Sequence, residues 1–369
     1  MAKKAYIGVD NVARKIKKGY IGVDGVARKI KKAYIGIGGV ARPCWSGGEL
    51  AYYGTVTPLS VQRRQAGAAT VGNYALFAGG QKDSNYQNVV DAYSESLVRS
   101  TPTTLSFTDS YIKGASVGDY VLFSGGLSAR AVVNAYNKSL ARSTPTNLSA
   151  SRYQLRAVSN GSYVLFGGGQ NLSTGASAVV DAYDGSLTRS TPTALSVARG
   201  YSNVASVGNY ALFAGGSGST VVDAYDKSLA RTTATSMSDK RTNAGTACAG
   251  NYALIAGGST GITAFSAAVD VYDSDLTHTT ASNLSIDKFD LAAMTLGDYA
   301  IFAGGRRNSV DSVRKEVEVY DSSLTRSMTM EISQARCEFH GTTVGNYALC
   351  AGGHNGSGYS NVVDAFTLV

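Results

Sequence analysis

AGAATVGNYALFAGGQKDSNYQNVVDAYSESLVRSTPTTLS, residues 66–106, contains four short strand-like runs separated by turn residues and one Gly-Gly pair. AGAATV ends at Gly72-Asn73, YALFA runs into Gly79-Gly80, NVVDAYS follows a polar loop, and RSTPTTLS follows Glu95-Ser96-Leu97. Runs of this length, rich in Val, Tyr and Phe and bounded by Gly, Asn and Ser, read as β-strands. Because each turn is short, successive strands must be antiparallel, and the unit predicts a four-stranded meander.

The same order recurs along the chain. Gly-Gly pairs end at Gly80, Gly126, Gly169, Gly216, Gly258, Gly305 and Gly353, 42 to 48 residues apart. A four-stranded unit repeated at that interval predicts an all-β, seven-bladed β-propeller. The order of strands, with Gly-Gly closing the second, resembles Kelch repeats over about 320 residues. The Trp of the usual Kelch fourth strand is absent, and Arg99, Arg142, Arg189, Arg231, His278 and Arg326 stand near its place. The seventh unit stops one strand short, after YALCAGG and NVVDAFTLV, whereas GELAYYGTVTPLS at 48–60 reads as a fourth strand with no unit before it. The N-terminal strand is therefore expected to complete the seventh blade and remove the free sheet edges.

A second, shorter period precedes the first. AYIGVDNVARKIKK, GYIGVDGVARKIKK and AYIGIGGVARPCWS place Tyr6, Tyr20 and Tyr34 at intervals of 14. Each copy reads as an apolar strand, a two-residue turn (Asp10-Asn11, Asp24-Gly25 or Gly38-Gly39) and a basic strand, hence a tandem β-hairpin. Isolated hairpins are marginal in water, so this head is expected to pack on another surface, copies of itself in a homo-oligomer such as a trimer included. The copies resemble the tandem YIGVDGVARK-type repeats of structural and tail-associated proteins of phages and prophages of Gram-positive bacteria. Two domains are expected, an attachment head at 1–44 and a propeller at 45–369.

The formal net charge of +8 belongs to the head: residues 1–44 hold eleven Lys/Arg, among them Lys17, Lys18, Lys31 and Lys32, against Asp10 and Asp24. The propeller is close to neutral, and binding to nucleic acid is not expected of it. Cys44, Cys248, Cys337 and Cys350 have no CxxC spacing, and His278, His340 and His354 supply too few ligands, so no metal and no cofactor are expected. With Cys44 and Trp45 ahead of the first blade, no copper-radical centre of the galactose oxidase kind is carried over. There is no apolar leader and no run of roughly 20 apolar residues, so neither a cleaved signal nor a membrane span is expected.

Seven third-strand residues, Asp91, Asn134, Asp181, Asp223, Asp270, Glu318 and Asp364, repeat in register. A group present in every blade answers a structural need of every blade, so these are expected to pair with strand-four arginines rather than to catalyse. Variation is confined to the loops after strands two and four, which emerge on one face. That face is the expected ligand site, with Arg63, Arg64, Tyr111, Arg152, Tyr153, Arg199, Tyr201, Arg241, Phe289, Arg336 and His340, ringed by Tyr86, Phe265, Arg306, Arg307 and Tyr359. Aromatic rings and guanidinium forks suit sugars or acidic polymers.

Together with the phage resemblance, these readings predict a non-catalytic virion protein of tail-fibre, tail-tip or head-fibre type, made in the bacterial cytoplasm. Its head would join other phage structural proteins, and its propeller would bind a host-surface glycan or protein. The alternatives are a capsid or tail decoration without host contact, and a glycan-active enzyme. Against the enzyme stands the lack of an asymmetric acid pair.

Overall fold

Each unit folds as the antiparallel sheet its alternation predicts, giving seven four-stranded sheets around one axis. The structure, a computed structural model, describes residues 48–308 and 312–369 in full and, of residues 1–47, the backbone of six strands. In blade 1 the strands are Gly67–Val71, Tyr74–Lys82, Asn85–Ser94 and Arg99–Ser100, labelled a to d from the axis outward. Strand a alternates buried and half-buried residues, strand b is buried along most of its length, strand c is buried from Val90 to Tyr93, and the fourth strands are half-buried to exposed. The middle strands are covered on both sides by neighbouring blades and so read as continuous apolar runs.

Blade 7 is closed as expected. His340–Val344, Tyr347–Ala351 and Val363–Leu368 supply three strands, and Leu50–Val56 pairs with the third in the register Val363↔Val56 to Leu368↔Leu50. At the end of that pairing Glu49 and Val369 exchange two backbone hydrogen bonds of 3.0 Å. In the head, Tyr6–Val9 pairs with Val12–Lys15, Gly19–Val23 with Val26–Ile30, and Lys32–Ile37 with Val40–Ser46, three antiparallel hairpins. The turn dipeptides, with Lys17, Lys18 and Lys31, lie outside the described residues.

The core consists of layers between blades. Phe77, Phe123, Phe166, Phe213 and Phe302 on strand b meet Tyr93, Tyr136, Tyr183, Tyr225 and Tyr320 on strand c edge to face, with centroids 5.9 to 6.2 Å apart. Each of these tyrosines donates its hydroxyl to a carbonyl in the chain leaving the preceding blade, as from Tyr93 to Thr57 at 2.8 Å and from Tyr136 to Thr103 at 2.7 Å. Phe366 has no hydroxyl, and in that blade Tyr52 donates to Asp364 at 2.6 Å instead.

The strand-c carboxylates form the joints. Asp91, Asp181, Asp223, Asp270 and Asp364 are fully buried and meet Arg63, Arg152, Arg199, Arg241 and Arg336 from the connection entering their blade, at 2.7 Å for Arg63–Asp91 and for Arg199–Asp223. In blade 6 a longer acid meets a shorter cation, Lys288–Glu318 at 3.0 Å. Blade 2 is rearranged: Asn134 replaces the acid, and a buried Asp109 stands where the cation would be, accepting the backbone N–H groups of Leu127 and Ser128 and pairing with Arg130 at 3.2 Å. The strand-d partners expected from sequence are present as the outer, partly exposed half of the joint, as in Arg231–Asp223 at 3.0 Å.

The Gly-Gly pairs let strand b approach these connections. At Gly80, φ is +110° and a Cβ would lie 2.6 Å from the Arg64 carbonyl. The second glycine of the pair also donates to the carbonyl of the next joint residue, as Gly353 does to Arg63 at 2.9 Å across the ring closure. Removing one member of a fully buried ion pair leaves the other charge unmatched, which costs ~3–5 kcal/mol. Asp223→Asn is expected to lose that much, seen as a lower urea midpoint. Asp119→Asn, which removes an exposed carboxylate paired with Lys138, is expected to leave the midpoint within about 0.5 kcal/mol of wild type.

Candidate functional site

Aligning the connections on the joint residue reveals two rings at one mouth of the central channel. Two residues further on stand Gln65, Tyr111, Gln154, Tyr201, Asn243, Asp290 and Glu338, all with left-handed backbone, φ between 52° and 58°. Non-glycine residues hold that conformation only where the surroundings fix it. Here backbone hydrogen bonds run from one blade to the next, from Gln65 to Glu338 at 2.8 Å, Tyr111 to Gln65 at 2.9 Å, Glu338 to Asp290 at 3.0 Å and Asp290 to Asn243 at 3.3 Å. Four residues past the joint come Gly67, Lys113, Arg156, Asn203, Gly245, Ala292 and His340. The backbone is nearly seven-fold symmetric and the side chains are not.

The asymmetry creates a pocket of about 240 Å³, lined among others by Tyr111, Lys113, Arg156, Asn243, Asp290 and His340. Gly67, Gly245 and Ala292 put no long side chain into it, and Lys113 reaches past Gly67 to within 3.3 Å of His340 Nε2. On the acidic side, Asp290 and Glu338 come from adjacent blades and bond the same nitrogen of Arg306, at 2.8 and 3.1 Å. Arg64 holds the other oxygen of Glu338 at 2.8 Å. Arg306 also reaches Oδ2 of Asp290 through Nε, at 3.1 Å. Burial, and then repulsion from Glu338, push the Asp290 carboxyl up to about 6 against the pull of Arg306.

The opposite side is cationic. Arg156 donates through Nη2 to Asn243 Oδ1 at 2.9 Å and lies 5.8 Å from the Tyr201 ring, while its Nη1 is buried without a partner. Burial, and then the charges of Lys113 and Arg156, hold the His340 imidazole neutral, well below its ordinary range. Burial and Arg156 likewise push the Lys113 ammonium down.

The residues expected from sequence to bind a ligand divide into three groups. Tyr111 and His340 line the pocket, Tyr201 flanks it, and Arg64 and Arg306 hold its carboxylates. Arg63, Arg152, Arg199, Arg241 and Arg336 are buried joint residues, correcting their assignment to an open face: each guanidinium is consumed by a buried carboxylate and by backbone carbonyls. The rest form the rim. Phe265 stacks on Phe289 at 4.8 Å, Arg307 pairs with Asp287 at 3.0 Å, Tyr153 donates to Gln170 at 2.8 Å, Tyr359 lies against His354, and Tyr86 is exposed. Sequence reading missed Lys113, Arg156, Asp290 and Glu338. Their signal is the unlike residue types at fixed offsets from the joint. The head residues Tyr6, Tyr20, Tyr34 and Lys32 lie in strands described by backbone alone.

No family model and no curated protein matches the chain. Among solved structures it is similar to a fungal alcohol oxidase of the AA5 family in complex with copper, at 14% identity and a TM-score of 0.67, over 87% of this chain and 76% of that one. It is also similar to YjhT, at 13% identity and a TM-score of 0.57, over 84% of this chain and 95% of that one. These likenesses show the propeller fold, consistent with the Kelch-like reading, and lend no support to the phage resemblance of the head. A copper ion does not suit this pocket: His340 is its one imidazole and faces Lys113, and among the described residues no three His, Cys, Asp or Glu side chains cluster as ligands. Among the described residues no helix is long and apolar enough to cross a membrane.

The expectation of a non-catalytic virion protein, whether adhesin or decoration, is corrected here. The fold is shared with an oxidase, and the asymmetric acid pair whose absence spoke against an enzyme is present in Asp290 and Glu338. Because Glu338 repels the charge of Asp290, Glu338→Gln is expected to lower the Asp290 carboxyl from about 6, while burial, the larger cause, keeps it above the ordinary carboxylate range. Carbon-detected NMR titration of the aspartate carboxyls, assigned with Asp290→Asn, measures this directly.

Proposed function

We propose that the protein is a glycan-active enzyme that performs general acid–base chemistry on the anomeric C–O bond of a sugar bound in the channel-mouth pocket. The observation that carries this reading is the pair Asp290 and Glu338, two carboxylates bridged by Arg306 at the edge of a concave polar pocket.

The two acids have different parts. Both oxygens of Glu338 are engaged, by Arg306 and Arg64, which suits it to fixing Arg306 and repelling charge on its neighbour. Arg306 occupies Oδ2 of Asp290 alone, so Oδ1 is left to carry the proton. With its carboxyl near 6, Asp290 is a proton donor matched to mildly acidic or neutral conditions. His340 across the pocket, kept neutral by burial and by Lys113 and Arg156, accepts from Lys113 and positions it, and its lowered basicity leaves the ionised Asp290 as the group that takes a proton back from water or from a sugar hydroxyl. Tyr111 and Tyr201 beside the pocket, and Phe265 in the surrounding loops, where it stacks on the buried Phe289, offer faces for sugar rings.

The test is turnover and anomerisation of a panel of aryl glycosides and reducing sugars by the intact chain. Asp290→Asn is expected to lower the rate ~10²–10⁴-fold. The wild-type rate should fall as pH rises through about 6, because the acid form of Asp290 is the active one. In Glu338→Gln that alkaline limb should begin at lower pH. A folded protein without turnover on any member of the panel, or an Asp290→Asn variant as active as wild type, would sink this reading.

A further inference from the structure

The pocket lining pairs two basic side chains, Lys113 and Arg156, with two carboxylates, Asp290 and Glu338, but the carboxylates are already engaged by Arg306 and Arg64 from outside the lining. Both carboxylates are held by Arg306, and Glu338 by Arg64 as well, all on one side of the pocket. On the other side, Arg156 is buried to 9% exposure and its charged group has one neutral hydrogen-bond partner, Asn243. Lys113 has one as well, the imidazole of His340. Two neighbouring basic groups disfavour each other's charge where the carboxylate that reaches both, Asp290, is itself bound to Arg306, and a guanidinium nitrogen without an acceptor adds the cost of an unmade hydrogen bond. Elsewhere in the same molecule every buried joint arginine has its own carboxylate. Among the described residues no carboxylate hydrogen-bonds Lys113 or Arg156.

We propose that Lys113 and Arg156 form a subsite for an oxyanion carried by the substrate, a carboxylate or a sulfate or phosphate ester, which makes the substrate class an acidic sugar. Arg156 Nη1 and the remaining Lys113 N–H groups are the donors, and Asn243 fixes the plane of the guanidinium through Nη2. The acidic side of the pocket then faces the rest of the sugar, with Asp290 beside the bond to be broken. The shift of the Lys113 ammonium is consistent with this, since burial and Arg156 push it down and an anion placed between them would restore its charge. The anion site stands on charge and geometry alone, whereas its assignment to the substrate rests on the catalytic reading above.

The experiment is isothermal titration of the intact protein at low salt with glucuronate, glucose 6-sulfate, glucose 6-phosphate, glucose and free sulfate. The acidic sugars are expected to bind at least about tenfold more tightly than glucose, and Lys113→Met and Arg156→Met each to lose about tenfold or more of that preference. Lys113→Arg, which keeps the charge, should retain most of it and guards against misfolding of the methionine variants. Tighter binding of glucuronate than of both esters identifies a carboxylate, and the reverse an ester. Binding of free sulfate as tight as that of the sugar esters would show an anion site unrelated to a sugar. Equal affinity for glucose and glucuronate, or methionine variants that bind the acidic sugars like wild type, would overturn the proposal. Turnover separates the two readings: anion binding by a wild type without turnover, or beside an Asp290→Asn variant as active as wild type, would leave the subsite standing and remove the catalytic role.

Discussion

A carboxylate buried between two blades must meet a positive charge or give up its own, and the propeller is organised around that requirement. Five joints meet it with Arg and Asp, one with Lys288 and Glu318, and one by moving the acid to the joint position, where Asp109 pairs with Arg130 and Asn134 stands on strand c. The exchanges are compensated within each joint, so local charge balance is what is maintained and arginine is only its commonest means. Fixing the joint residue fixes the path of the connection. Its carbonyl receives the glycine N–H of the preceding blade, and its side chain reaches the acid of its own blade.

That path places the site. Once the joint is anchored, the chain has two residues in which to turn left-handed and four in which to enter the channel, in every blade alike. A symmetric backbone thus presents two rings of positions whose side chains are free to differ, because the joints and the Phe–Tyr layers already carry the stability. Acids gather in blades 6 and 7 and cations in blades 2 and 3, with glycine or alanine at three positions leaving room between them. The chemistry is therefore a property of substitution within a repeated frame, and the fold shared with an alcohol oxidase and YjhT does not prescribe it.

Much of the frame was legible beforehand. The Gly-Gly spacing gave seven blades, and the missing strand in the last unit matched the surplus GELAYYGTVTPLS at its start. The site was less legible. His340, Tyr111, Arg64 and Arg306 were singled out as loop residues, yet they were grouped with Arg63, Arg152, Arg199, Arg241 and Arg336, which resemble them in type and lie in the same connections. One residue of displacement separates the buried Arg63 from Arg64, which holds the pocket carboxylate Glu338, and residue type does not record that difference.

The sequence by itself determined the number of blades, the closure of the ring and the repeated acid of strand c, because these follow from periodicity and strand alternation, which are local. Only the tertiary structure decided that Asp290 and Glu338 share one guanidinium, and that Lys113 reaches past Gly67 to His340. Closing the ring brings residues of blades 2 and 7 to the same axis, and contact between residues 227 positions apart leaves no trace in spacing.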